Sequence, residues 1–257
     1  MVFLMYHELE LPGCSPCRLE AGYTRYVLTA ADFRAQMQSL AAAGWNGLNV
    51  SQALAFPECP AVAITFDDGC ETDLLVVSPI LQSLNFNATF YITYCFLDTP
   101  GYLTREQLRR LSDLGFEIGC HSMTHAYLSD LDDAGLQREI AESKVYLEHV
   151  LGKPVRHFSC PGGRFDRRVE EVARAAGYRS VTTSRLHANS RSTNQYALGR
   201  IAVMRDTQLR EFEALCQGHG FWQMNLRSSL QQGAKHFLGN SLYDRVRSVM
   251  LKQQAPQ

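Results

Sequence analysis

Apolar positions along the chain alternate between two rhythms. Short continuous apolar runs at 2–6, 61–65, 88–93, 116–120, 157–160, 180–183 and 201–203 have the length of buried strands. Between them, apolar residues recur at helical spacing in 30–43, 71–84, 105–114, 134–151, 167–176 and 208–217. In 30–43, for example, Phe33, Met37 and Leu40 share one face. Thr29 and Thr104 stand where N-caps belong, and Gly44, Gly115 and Gly152 follow the last periodic residues. Pro79 predicts a kink inside 71–84. A strand-then-helix alternation over about 215 residues implies a parallel sheet covered by helices. About seven strands in this rhythm fit an α/β barrel better than two open-sheet domains.

The rhythm stops near residue 222. In 223–257, Arg227, Lys235, Arg245, Arg247 and Lys252 face a single acid, Asp244, among spaced apolar residues. The chain therefore reads as a barrel over 1–222 and a basic amphipathic helical extension over 223–257. That extension either packs on the barrel or meets an anionic membrane face.

Composition narrows the class. Hydrophobic residues at 46% and charged residues at 20% are those of a soluble globular domain. No apolar run reaches the ~18–20 residues of a membrane span. A formal net charge of −1 argues against bulk nucleic-acid binding, which needs a basic excess. The apolar N-terminal run is too short for a secretory signal and no basic residue precedes it, so it reads as a strand. The eight cysteines are too sparse for a disulfide scaffold, and several lie in apolar runs, so mostly buried thiols in a reduced cytoplasmic setting are expected. Cys14-Ser-Pro-Cys17 has redox spacing, but the segment after it does not read as the helix such a motif opens, and it is taken as a loop.

In parallel α/β folds the chemistry sits just past the strand ends. After 61–65 come Phe66-Asp67-Asp68-Gly69. Two adjacent carboxylates repel if both ionise, and a bound cation relieves that. After 116–120 come His121-Ser-Met-Thr-His125, whose i, i+4 spacing places both rings on one face of a helical turn. Asp68, His121 and His125 would offer a divalent metal one oxygen and two nitrogens with positions left open. That set suits catalytic Zn²⁺, with Co²⁺, Ni²⁺, Mn²⁺ and Fe²⁺ as alternatives. Asp67, beside a ligand but free, is then a general base. After 157–160 come Pro161-Gly162-Gly163-Arg164: a Gly162 N–H could hold an oxyanion, and Arg164 could orient substrate. His7, after the first strand, would face the same mouth as a second titratable group. His149, His157, His187, His219 and His236 are read as background. Tyr91, Tyr94, Phe96 and Tyr102 lie near one mouth loop and suit sugar stacking.

Together, Thr65-Phe-Asp67-Asp68-Gly69, His121-Ser-Met-Thr-His125 and Pro161-Gly-Gly163 resemble three motifs of the polysaccharide deacetylases, the family-four carbohydrate esterases. The resemblance spans roughly residues 1–217. It implies a distorted (β/α) barrel that removes acetyl groups from sugars with one divalent metal, Asp67 as base, and Asp68, His121 and His125 as ligands. Three positions depart from the family pattern. Ser159 stands where the family has the arginine that tunes the base, which leaves that arginine missing or replaced by Arg164. Arg185-Leu-His187 stands in place of Leu-x-His, and the tryptophan motif is absent. Met5-Tyr6-His7 is similar to a permuted subgroup whose first-strand Tyr-His supplies the acid, which assigns that role to His7. The implied substrate is an N-acetylated amino sugar in a glycan or glycolipid precursor. The alternatives are another C–N hydrolase on the same barrel and a catalytically degenerate carbohydrate-binding protein.

Overall fold

The computed structural model describes residues 1–219; the expected extension at 223–257 lies outside the described residues. The strands are β1 (Val2–Tyr6), β2 (Glu8–Leu9), β3 (Val27–Leu28), β4 (Asn46–Leu48), β5 (Ala61–Phe66), β6 (Thr89–Ile92), β7 (Glu117–Cys120), β8 (His157–Ser159), β9 (Ser180–Thr182) and β10 (Ile201–Ala202). The main sheet runs β10-β1-β5-β6-β7-β8-β9, parallel throughout, with β4 alongside β5. The gap between β9 and β10 is crossed by one extended segment. Leu198 bridges Thr182 of β9 and accepts the Thr183 N–H at 2.8 Å, and three residues later Ile201 pairs with Leu4 of β1. The sheet thus curls into the expected distorted (β/α) barrel. β4 is an additional, wedge-like strand: it pairs with Ala61–Ala63, so β6 meets β5 only at Thr65 and Phe66. A Cβ on its central Gly47 would lie 2.6 Å from Ile64 and Phe86, so only glycine fits there. A three-residue strand centred on glycine carries no period-two signal, which is why the sequence does not reveal it.

Local chemistry sets the helices. Ala30–Ala42 starts at Thr29, whose Oγ1 accepts the Asp32 N–H at 3.0 Å. Arg105–Asp113 opens on a reciprocal capping box between Thr104 and Gln107. Two segments expected as single helices contain wide π-type turns. One, Asp73–Val77, precedes the helix Ser78–Ser83, with Pro79 in that helix's first turn. The other, Gln137–Glu142, separates Asp133–Leu136 from Ser143–Leu151.

Strand alternation gives the barrel two different faces. Tyr6, Phe66, Phe90 and Ile118 form one cross-strand row that packs beneath the helices. There Tyr6 stacks on Phe66 at 5.1 Å and meets Phe33 of helix Ala30–Ala42 edge-on at 5.2 Å. The neighbouring row, Met5, Thr65, Thr89 and Glu117, turns inward. Beside it lies a small apolar cluster of Phe3, Ala63, Tyr91, Leu198, Val50 and Ala53. Tyr91 is fully buried in that cluster, so it is an interior residue and not part of an aromatic mouth.

The inner row carries a buried polar cluster. Glu117 accepts from Thr89 Oγ1 at 2.6 Å and from the Ser51 N–H at 3.2 Å, and lies 3.4 Å from His157 Nε2. Both nitrogens of His157 are engaged, with Ser51 Oγ and Ser180 Oγ each at 2.8 Å, which fits a structural role. Burial would raise the Glu117 carboxyl, but His157, Ser51 and Thr89 outweigh it and bring it down to about 2 from an ordinary 4.5. A carboxyl depressed on folding stabilises the native state above its unfolded pKa, and that contribution fades as pH falls through the folded value. Glu117→Gln should therefore cost about 1–3 kcal/mol at neutral pH, and the difference should shrink between pH 4.5 and about 2. Denaturant unfolding across that range checks it, and a gap independent of pH would contradict it.

Candidate active site

Asp67 and Asp68 sit at the C-terminal end of β5. Asp67 continues the inward row of Ala63 and Thr65, and its N–H donates to the Tyr6 carbonyl at 3.0 Å. Asp68 leaves the strand with φ of 80°, a left-handed conformation unfavourable outside glycine. Both side chains are buried.

Two histidines converge on Asp68. Its Oδ1 lies 3.6 Å from His121 Nε2 and 3.3 Å from His125 Nε2, and the two rings are 5.1 Å apart. The His121 Nδ1 lies 2.9 Å from the Ser159 carbonyl oxygen, an acceptor only, so Nδ1 carries the proton and Nε2 presents its lone pair to Asp68. The stretch between the histidines is not the helical turn expected from i, i+4 spacing. It is an irregular loop in which Ser122 (φ 72°) and His125 (φ 66°) are both left-handed. Ser122 Oγ accepts the His125 N–H at 2.9 Å. Buried Glu139, from the wide turn Gln137–Glu142, accepts the Met123 and Thr124 N–H groups at 3.0 and 2.8 Å and the Thr124 hydroxyl at 2.7 Å. Such strain persists only where neighbouring bonds over-determine it, as they do here.

The residues present fit a metal ion. Asp68 Oδ1, the atom facing both Nε2 nitrogens, is buried and has no hydrogen-bond partner among the described residues. An orphaned carboxylate oxygen facing two imidazole nitrogens is costly unless a cation lies between them. Asp68, His121 and His125 each place one ligand atom within 4.8 Å of the others. Burial lowers His121 to about 3 and His125 to about 4, which keeps both rings neutral and able to ligate at working pH.

Asp67 is held by a residue that sequence reasoning missed. Arg200, immediately before β10, is buried and forms a bidentate pair with Asp67, both N···O distances being 2.7 Å. Its remaining N–H groups reach the Thr183 carbonyl at 3.1 Å, Thr65 Oγ1 at 3.2 Å and Ser159 Oγ at 2.8 Å, so all five guanidinium donors are used. Burial would raise the Asp67 carboxyl, but Arg200, His121 and His7 outweigh it and hold it well below the usual carboxylate range. Arg164 does not fill this place. Its guanidinium lies 4.8 Å over the Tyr127 ring, away from Asp67. The one sequence signal for Arg200 was an arginine abutting an apolar strand, Ile201-Ala-Val203.

His7 follows β1, and the charges of Asp68, Asp67 and Arg200 all act on its ring. Burial lowers its pKa, against the pull of the two carboxylates. The ring lies on Tyr26 at 4.7 Å, and its buried Nδ1 has no hydrogen-bond partner among the described residues. Phe96 stacks against His125 at 6.0 Å and Tyr102 packs on Phe96 at 4.7 Å, so these two line the site, whereas Tyr94 stacks on Tyr146. Pro161-Gly162-Gly163 forms a tight turn beyond β8, in which a Cβ on Gly162 would lie 2.7 Å from the Tyr127 ring. His187 lies in a loop with Nδ1 3.1 Å from the Ala188 carbonyl, consistent with a background residue.

The profile of the polysaccharide deacetylase family matches residues 56–181, the stretch that carries the two aspartates, both histidines and the Pro-Gly-Gly turn. Through that stretch the chain is similar to the polysaccharide deacetylase family. It is 28% identical over 178 residues to the protein YxkH of Bacillus subtilis (strain 168), covering 67% of this chain and 64% of YxkH. It is 34% identical over 124 residues to a peptidoglycan-N-acetylglucosamine deacetylase of Bacillus cereus, covering 48% of this chain and 56% of that enzyme. The chain thus spans less than two thirds of the length of these curated relatives. The Streptococcus pyogenes deacetylase PplD, solved with acetate, shares the fold at a TM-score of 0.73 and 22% identity, covering 86% of this chain and 98% of PplD.

Removing one partner of the buried Arg200–Asp67 pair should be costly. Arg200→Met alone leaves a buried carboxylate unpaired and should cost about 3–5 kcal/mol. The double variant Asp67→Asn/Arg200→Met should lose clearly less than the sum of its two single variants. A double-mutant cycle by denaturant unfolding measures this, and strict additivity would show that the pair does not couple.

Proposed function

We propose that this chain is a metal-dependent deacetylase that hydrolyses the N-acetyl group of an amino sugar. The observation that carries the reading is Asp68 Oδ1, orphaned between two neutral imidazoles beside an arginine-clamped Asp67. Asp68, His121 and His125 would hold one divalent ion, and their one-oxygen, two-nitrogen donor set favours Zn²⁺. When bound, the ion supplies Lewis acidity and lowers the pKa of water. Asp67 accepts the proton of the attacking water. Arg200 makes Asp67 a weak base that is always ionised, so Asp67 suits a water already acidified and would be a poor base for free water. The bidentate contact with Arg200 also fixes the orientation of the Asp67 carboxylate. His7, once protonated, gives its proton to the departing amine, and its depressed pKa makes that transfer favourable. The Gly162 N–H, on a turn that admits no larger residue, is assigned to the oxyanion, and Arg164 with Tyr127 to the rim of the sugar cleft.

The substrate proposed is a lipid-linked or soluble N-acetylhexosamine conjugate, met in the cytoplasm or at an inner membrane face. No helix among the described residues is long and apolar enough to cross a membrane. Any contact with anionic lipid would fall to the basic residues of 223–257.

Acetate release from a panel of N-acetylated sugars, oligomers and lipid-linked sugars tests the reading. Chelation should abolish turnover, and zinc should restore it. Asp67→Asn should lower kcat by about 10²–10⁴-fold while zinc remains bound. His7→Ala should reduce kcat more than it changes KM. Full turnover in Asp67→Asn would overturn the assignment of the base. Tight sugar binding without acetate release would favour a carbohydrate-binding protein.

A further inference from the structure

Beside the first ligand cluster lies a second, made of residues that the proposed reaction does not use. Glu8, Cys17 and Cys70 each offer one ligand atom, all within 4.8 Å of one another. Glu8 and Cys70 are buried and Cys17 is half-buried. The Cys17 and Cys70 sulfurs are 3.6 Å apart. Two sulfurs at ~2.3 Å from one tetrahedral ion stand about 3.8 Å apart, whereas bonded disulfide sulfurs are ~2.0 Å apart. The observed spacing is close to that of two sulfurs on one ion. Both Glu8 oxygens are oriented by the Cys17 N–H, at 3.1 Å each. Tyr23 Oη lies 3.4 Å from the Cys70 sulfur, and the Gly101 carbonyl lies 3.0 Å from the Cys17 sulfur. The partner of Cys17 is therefore Cys70, brought from far along the chain, and not exposed Cys14 three residues away.

A further unsatisfied acid lies next to this cluster in the chain. Asp73 is completely buried, and neither of its carboxyl oxygens has a hydrogen-bond partner among the described residues. Its N–H donates to the Cys70 carbonyl at 3.0 Å, which sets it one turn beyond Cys70. Burial first, and then the nearby Cys17, Asp68 and Glu8, push its carboxyl well above the usual carboxylate range, so acids surround it. A buried carboxyl group left without hydrogen-bond partners costs free energy, and a cation bound nearby would relieve it.

We propose that Glu8, Cys17 and Cys70 form a second metal site for a thiophilic divalent cation, zinc foremost. The two thiols would each release a proton to solvent on binding. The site would be structural. Glu8 directly follows His7, Cys70 lies two residues beyond Asp68, and Cys17 precedes Arg18, whose guanidinium reaches to 4.0 Å from Asp68. One ion would tie together the three loops that carry the proposed acid, a proposed ligand of the first site and the cation nearest that ligand.

Cobalt(II) distinguishes the two sites, because thiolate ligands produce a near-ultraviolet charge-transfer band that a site of two histidines and an aspartate does not. The full chain, purified under reducing conditions and loaded with Co²⁺, should bind two equivalents and show the band. Cys17→Ser and Cys70→Ser should each lose one equivalent together with the band. His121→Ala/His125→Ala should lose the other equivalent and keep the band, so failure of the second site and failure of the proposed function would be told apart. A wild-type chain that binds one equivalent or none without the band would overturn the proposal. So would a chain two hydrogens lighter by mass with its Cys17–Cys70 peptides joined, since that is a disulfide.

Discussion

A guanidinium fully withdrawn from water at the centre of a barrel is the constraint around which the rest of this structure is arranged. Arg200 is tolerated there because every one of its donors has an acceptor and its charge is matched by Asp67. Those acceptors come from β5, from the end of β8 and from the residue after β9, so satisfying one side chain requires most of the ring to be in place. Arg200 also lies on the segment that closes the ring, between Leu198 on β9 and Ile201 on β1. Closing the barrel and clamping Asp67 are therefore one event. Asn189 supports that segment from the side, exchanging hydrogen bonds of 2.9 Å with both backbone groups of Gly199.

The division of labour between the aspartates follows from this geometry. The two are neighbours in sequence, yet one is paired with a cation of the protein and the other is left with a bare oxygen. Strand alternation sends Asp67 inward to Arg200, and the left-handed turn at Asp68 carries the next carboxylate to the histidines. Had both met Arg200, no oxygen would remain for a metal. Had neither met it, two buried carboxylates would compete for one proton. The same logic explains the cost accepted in the loop 121–125, where two non-glycine residues hold left-handed conformations and buried Glu139 anchors the backbone.

Much of this could be read from the chain because the motifs fall at strand ends. The β–α rhythm, Asp67, Asp68, His121 and His125 are all local patterns, and the structure brings the last three together. What escaped was non-local or irregular. Arg200 lies far along the chain from Asp67, and no spacing rule links them. Glu139 sits inside a stretch of ordinary helical periodicity, and only a wide turn aims it at the loop. The helical turn expected between the histidines failed because i, i+4 spacing is also satisfied by an irregular loop when its backbone is bonded from outside. Tyr91 looked like a mouth aromatic by position, but strand parity turns it into the interior, against Gly119 and Arg200. Likewise the thiols were expected to be mostly buried, whereas Cys14, Cys59 and Cys95 are exposed.

The barrel interior is polar at mid-height, which is unusual for a layer that could hold branched apolar side chains. Thr65, Thr89, Glu117, His157 and Arg200 occupy it, and each is bonded to another strand or to helix Val50–Ala53. Such a layer adds little net stability, because desolvating it offsets most of what its bonds return. Its consequence is geometric. Hydrogen bonds and ion pairs have one satisfactory arrangement, whereas packed aliphatic side chains tolerate small slips between strands. A site that needs an aspartate on β5 and a histidine after β7 to meet within a few tenths of an ångström gains more from fixed strand positions than from additional burial. On this view the Glu117–His157 contact and the Asp67–Arg200 ion pair act as two pins through the same ring.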